Sequence, residues 1–245
     1  MPTHAQRRRG AGYYSAGSTL VHGFVRAADG MITSFDADGV NSGTKPLAID
    51  GQGNIAGTYG GDDSLAFLRT PDGTVTTFTP RGSVDTFPSA ISNGVVTGWF
   101  DGSLVEGFVR SAAGTFAFFN PSVATYVKAI NDDGTVTGYT SDGSSATHGF
   151  VRMKGGALTS FDAPGCQSTA GEAIDAKGDV TGLCVNGGAT KGFARTAAGK
   201  ITVFHLKHAV STAPAGIARL MGTGVAITGS ETPSRGICHG FLRTK

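Results

Sequence analysis

The chain has 245 residues, with 39 glycines, nine prolines, 39% apolar residues and a formal net charge of +2. Ordinary apolar content excludes a disordered chain, low proline without a three-residue period excludes a collagen-like one, and no apolar run approaches the ~18 residues of a membrane-spanning helix. Nor is there a clustered basic surface of the kind that binds nucleic acid outside the amino-terminal "HAQRRRG".

Residues 1–10 read as a solvated basic arm, or as one strand at a seam. No apolar stretch follows the charges, so an intact signal peptide is not expected. From residue 11 onward the chain repeats itself. "HGFVR" at His22 to Arg26 returns at His148 to Arg152, and as "HGFLR" at His239 to Arg243. Aligned on its phenylalanine, the phrase occurs six times, at Phe24, Phe67, Phe108, Phe150, Phe193 and Phe241, in steps of 41 to 48 residues. An arginine stands two residues after each: Arg26, Arg69, Arg110, Arg152, Arg195 and Arg243.

A second phrase follows the first five, reading "GMITSF", "GTVTTF", "GTFAFF", "GALTSF" and "GKITVF". Short turns with glycine near their end join the two phrases, the signature of a β-hairpin. The rest of each unit is another hairpin, clearest in "SAISNGVVTGWF", "KAINDDGTVTGYT" and "EAIDAKGDVTGLC". One unit of about 42 residues is therefore four antiparallel strands, A ("AIN"), B ("TVTGY"), C ("HGFVR") and D ("ALTSF"). The first copy shows B, C and D; the last shows A, B and C. Such units bury both faces by packing radially, which predicts an all-β chain folded as a β-propeller of four-stranded antiparallel blades over residues 11–245. The count favours six blades, with five and a spare hairpin as the alternative.

The stretch "AINDDGTVTGYTSDGSSATHGFVRMKGGALTSFDAPG" resembles the bacterial repeats described as HAF-type extracellular repeats, and is similar to the kelch repeat in strand order. The resemblance covers nearly the whole chain. It implies a propeller and an extracytoplasmic or secreted location, and transfers no catalytic residue.

Comparing the copies separates scaffold from site. The C and D phenylalanines recur, so they are core. The C-strand arginine recurs too, and is expected to anchor a turn or to meet a carbonyl or carboxylate of the next blade. By contrast, the D–A and B–C connections are long and diverse. Because strands alternate in direction, both emerge on one face, the expected ligand face. By the kelch analogy strand A is innermost, and its opening residues Leu47, Ser89, Lys128, Glu172 and Ala215 lie nearest the axis. The residues ahead of strand C form a second ring: His22, Leu65, Glu106, His148, Lys191 and His239. Tyr13, Tyr59, Trp99 and Tyr139 leave strand B and either form an aromatic platform for a sugar ring or other flat ligand, or cover blade edges.

His22, His148 and His239 hold equivalent places, which favours a structural hydrogen bond. His205 and His208, in "FHLKHAV", are irregular, and His205 stands where Asp36 and Asp162 stand in other copies. A histidine with Glu172 or Glu106 would supply an acid and a base. "DADG" is too short for a calcium loop, no C-x-x-C spacing suggests zinc, and no metal or cofactor is expected. Cys166 and Cys184 fall on the same face of one unit and are expected to form a disulfide, leaving Cys238 unpaired; a bond favours an oxidising compartment.

The function expected is non-catalytic recognition of a glycan, small molecule, peptide or protein through the loop face. The alternative is a lyase or hydrolase with an axial His/Glu/Lys site. A third reading is assembly through the seam strands. A monomer is compatible with all but the last.

Overall fold

The computed structural model describes residues 9–15, 17, 20–39, 43–61, 64–119, 123–144, 146–156, 158–220, 224–233 and 237–244, and every regular element among them is a β-strand. The basic run up to residue 8 lies outside the described residues. Sheet one is β1 (Gly10–Ser15), β2 (Val21–Arg26) and β3 (Ile32–Phe35). Sheet two is β4 (Lys45–Ile49), β5 (Ile55–Tyr59), β6 (Leu65–Arg69) and β7 (Val75–Phe78). Sheet three is β8 (Thr86–Ser92), β9 (Val95–Asp101), β10 (Val105–Arg110) and β11 (Phe116–Phe119). Sheet four is β12 (Ala124–Ile130), β13 (Val136–Ser141), β14 (Thr147–Arg152) and β15 (Leu158–Phe161). Sheet five is β16 (Ser168–Ile174), β17 (Val180–Asn186), β18 (Ala189–Arg195) and β19 (Ile201–Phe204). The three strands β20 (Ala209–Arg219), β21 (Val225–Pro233) and β22 (His239–Thr244) form a sixth set, tied to sheet five by the single parallel pair Thr190–Ser211.

All other pairings are antiparallel neighbours in sequence, as the hairpin phrases predict. The A–B turn shows why. Asp50, Asn131 and Asp175 each turn a side-chain oxygen back onto the main chain; Asp175 Oδ1 accepts from the N–H of Lys177 and of Asp179, both at 2.9 Å. Gly178 follows with φ of 87°, a backbone state that an L side chain resists.

The chain forms two compact units, Met1–Phe118 and Phe119–Lys245. Within each, the core lies between successive sheets. Phe67, Phe108, Phe150 and Phe193 of the C strands are fully buried. Each meets the D-strand phenylalanine of the preceding sheet edge to face: Phe35–Phe67, Phe78–Phe108, Phe119–Phe150 and Phe161–Phe193, with centroids 5.6–6.2 Å apart. The C-strand arginine then covers that same D-strand ring. Arg69 lies over Phe35, Arg110 over Phe78, Arg152 over Phe119, Arg195 over Phe161 and Arg243 over Phe204, at 4.2–4.9 Å. Arg69, Arg110 and Arg195 also donate to the carbonyl of the residue that follows. The arginine thus does reach a turn carbonyl, its own, but its inter-sheet partner is an aromatic face in the preceding sheet rather than an oxygen in the next.

Candidate functional site at the strand A bulges

Strand A carries a β-bulge in every sheet that has one. Register shifts fall between Pro46 and Ala48, Pro88 and Ala90, Val127 and Ala129, Gly171 and Ala173, and Pro214 and Gly216. The extra residues are Leu47, Ser89, Lys128, Glu172 and Ala215. A bulge re-aims the side chain it carries, so one position per sheet is freed from the ladder. The facing B-strand glycine permits it: a Cβ on Gly182 would collide with Ala170 O, and one on Gly138 with Tyr126 O.

In the second unit two bulge residues meet. Lys128 Nζ lies 4.0 Å from Glu172 Oε2, with side chains 35% and 22% exposed. The ammonium also sits 5.6 Å from the centre of the Tyr139 ring. Tyr139 faces Tyr126 across the β12–β13 ladder, stacked at 4.8 Å and 23°. Burial pushes the Glu172 carboxyl above the ordinary carboxylate value of 4.5, and the Lys128 charge opposes this without cancelling it. Burial likewise raises the Tyr139 phenol, helped by Tyr126 and by the Glu172 charge. Neither Glu172 nor the Tyr139 hydroxyl makes a hydrogen bond among the described residues. The group therefore gathers a carboxyl, an ammonium and a phenol at one place, partly exposed.

The Glu172 shift has a stability consequence. A carboxyl whose folded value is raised contributes stability below its unfolded value, and this is lost as pH rises through the folded value. Glu172→Gln is expected to be more stable than the wild type at neutral pH, with the advantage vanishing below pH 4.5. Parallel urea titrations across that range check it; an advantage independent of pH would refute the burial argument.

The remaining expected residues divide. Trp99 stacks on Phe87 at 4.1 Å and 25° in sheet three, and Tyr59 packs beside Ile55 and Phe67. His22 Nδ1 meets Asp36 at 3.0 Å, and His148 Nδ1 meets Asp162 at 2.8 Å, in each case pairing strand C with the residue after strand D. His205 occupies the aspartate position and bonds instead to Ala209 O at 2.6 Å and Thr212 Oγ1 at 3.2 Å. His208 sits in the following turn with φ of 69°. His239 opens β22 opposite Glu231 and is exposed; Lys191 is exposed on β18 opposite Cys184; Glu106 lies on β10 opposite Phe100. No hydrogen bond or ion pair joins a histidine to Glu106 or Glu172 among the described residues, and no group of three or more His, Cys, Asp or Glu side chains converges as a metal site among them.

Two site residues escaped the sequence reading, Tyr126 and Phe87. Both follow a buried threonine in a phrase that recurs as T-x-x-x-[A/G]-I at Thr44, Thr86, Thr125, Thr169 and Thr212, all at most 1% exposed. Those threonines lock the D–A loops: Ala37 N–H, Ala163 N–H and Leu206 N–H donate to Thr44, Thr169 and Thr212. The same segment holds the preceding sheet's B–C loop. Thr44 N–H donates to Val21 O, Thr86 N–H to Ser64 O, and Thr147 Oγ1 to Thr169 O. The two loop classes therefore meet on one face within each unit. Cys166, in a D–A loop, is disulfide-bonded to Cys184 on β17, and Cys238 is free and exposed.

No family model matches the sequence, and no curated protein does. Solved structures match over almost the whole chain. Virginiamycin B lyase from Staphylococcus aureus aligns with a TM-score of 0.60 at 16% identity, over 98% of this chain and 85% of that one. A catalytically inactive variant of the same enzyme with quinupristin gives 0.56 at 17%, over 98% and 86%. TolB from Acinetobacter baumannii gives 0.60 at 12%, over 92% and 61%. At such identities the likeness concerns architecture alone, and these structures are propellers: the chain has a β-propeller-like all-β fold of four-stranded antiparallel sheets.

Proposed function

We propose that the protein is a six-bladed, kelch-like propeller that binds a ligand, without transforming it, through the face bearing its D–A and B–C loops. The observation that carries this reading is the Tyr126–Lys128–Tyr139–Glu172 group. Where repetition fixes nearly every neighbouring position, Tyr126, Lys128 and Glu172 differ from sheet to sheet, and they bring an ammonium and a carboxylate together beside the stacked Tyr139 ring. A ligand with hydroxyl or amide groups, such as a glycan, a peptide or a protein loop, would satisfy ammonium and carboxylate together. Six C strands support the blade number, with β1–β3 and β20–β22 as the two three-stranded members. The disulfide and the resemblance to extracellular bacterial repeats support an extracytoplasmic location.

Glycan and peptide arrays test this reading. The wild type is expected to retain a ligand, and Lys128→Ala to lose it by about tenfold or more, the size of one charge-assisted hydrogen bond. Failure of both arrays, or retention undiminished in Lys128→Ala, would sink the reading. An enzyme remains the second reading because Glu172 holds its proton more tightly than usual beside an ammonium, a property suited to proton transfer. Turnover of the captured ligand, abolished in Glu172→Gln with affinity kept, would favour it.

A further inference from the structure

A cleft of about 360 Å³ lies between sheets five and six, on the side of the tight turns. The residue after the C-strand phenylalanine packs toward the following sheet as Val25 in sheet one, Leu68 in sheet two and Val151 in sheet four, and the equivalent residue of sheet five is Ala194. Leu68 fills the space between sheets two and three, where it is 8% exposed among Ile91, Val96 and Phe108. Ala194 stands in the same place before sheet six and leaves it open.

The cleft is walled by Ala194 and Thr202 from sheet five and by Ile217, Val225 and Ile227 from sheet six. Its charged groups are not equivalent. Arg219 is committed: Nε lies 2.9 Å from Asp175 Oδ2 and Nη2 donates to Asp179 Oδ2 at 2.7 Å. Asp179 is committed as well, since its other oxygen accepts from Ala197 N–H. The Arg195 guanidinium is turned away onto Phe161. Arg243 is different. Its guanidinium carbon lies over Phe204, 4.2 Å from the ring centre, and it has no hydrogen bond or ion pair among the described residues. The Thr202 hydroxyl is also without a partner there. An aromatic face orients the guanidinium without consuming its donors.

We propose that this cleft is a binding site for a small amphipathic carboxylate. The apolar tail lies between Ala194 and Ile227, and the carboxylate takes the Arg243 fork, with Thr202 as a second donor. The site is separate from the loop face and independent of what that face binds.

Isothermal titration of the full chain with octanoate, 1-octanol and sulfate tests the proposal. Octanoate is expected to bind saturably below its micelle concentration and to raise the melting temperature, while 1-octanol and sulfate bind at least about tenfold more weakly, because each lacks one half of the match. Arg243→Gln is expected to weaken octanoate by about tenfold. Ala194→Leu fills the cleft as Leu68 fills its counterpart, so it abolishes binding without lowering the melting temperature. Thr202→Val, which keeps the volume, gives a smaller loss and guards against a folding artefact in the other two. The proposal fails if octanoate does not saturate, if 1-octanol binds equally well, or if well-folded Ala194→Leu binds octanoate as the wild type does.

Discussion

Phe193→Ala is expected to cost about 3–5 kcal/mol, the range for truncating a fully buried aromatic side chain. The ring is fully buried, with Phe161, Ala163, Val180 and Cys184 as its core neighbours. It meets the Phe161 ring edge to face at 5.6 Å, and its carbonyl accepts from Thr181 Oγ1 at 2.7 Å. The hydrogen bond survives truncation and holds β17 to β18, so the sheets cannot close the hole. Arg195, spread over Phe161, would lose the neighbour that keeps that ring upright. Phe24 provides the internal comparison. It holds the same place in sheet one but is only partly buried, its ring end lying against Gly12. Phe24→Ala is expected to cost less than half as much as Phe193→Ala. Urea denaturation of both variants checks the pair; equal losses would contradict the idea that the preceding D-strand phenylalanine makes the C-strand phenylalanine a core residue.

Which features could be read from the sequence follows from what repeats. Hairpins announce themselves through glycine-bearing turns and alternating β-branched residues, so the 22 strands among the described residues were countable. Core phenylalanines and their arginines were visible by recurrence. The arginine's partner was not, because pairing across sheets depends on sheet packing and not on spacing along the chain. The bulges were invisible for a related reason: one extra residue in a strand changes no residue type. Lys128 and Glu172, which read in the sequence as strand openings, are in the fold the residues released from the ladder. Tyr139 and Trp99 stand out in strand B, but Tyr126 and Phe87, which stack on them, do not. These partners sit on strand A at positions held by Lys45, Ala170 and Ala213 in other copies, so recurrence gave no signal. The His22–Asp36 and His148–Asp162 pairs lie at the opposite extreme. Each joins two residues that recur together, and the replacement of the aspartate by His205 goes with a different set of bonds.

Opening the Cys166–Cys184 bond is expected to cost about 3 kcal/mol through the freedom returned to the unfolded chain, since the bond closes a separation of 18 residues. For a chain of this size that corresponds to a fall in melting temperature of roughly 6–12 °C. Cys166 is the better site for the substitution. Cys184 is 1% exposed, so a serine there adds the cost of a buried hydroxyl, whereas Cys166 lies in a loop and is only partly buried. Cys166→Ser and wild type treated with dithiothreitol should therefore melt together, and Cys184→Ser should melt lower than both. The bond also has a bearing on the site. It fastens the D–A loop to β17 just ahead of β16, the strand whose bulge carries Glu172. The loop has other ties, from Asn186 Nδ2 to Gly165 O at 2.8 Å and from Gly187 N–H to Gln167 Oε1 at 3.0 Å. Those two ties are exposed and individually worth little; the buried bond from Ala163 N–H to Thr169 Oγ1 and the bond from Gln167 N–H to Val185 O persist, so losing the covalent link loosens β16 at that end without freeing it. Ligand capture by the loop face should weaken in reduced protein together with stability. Three free thiols in protein isolated without reductant would remove the basis of this prediction, and with it the strongest physical argument for an oxidising compartment.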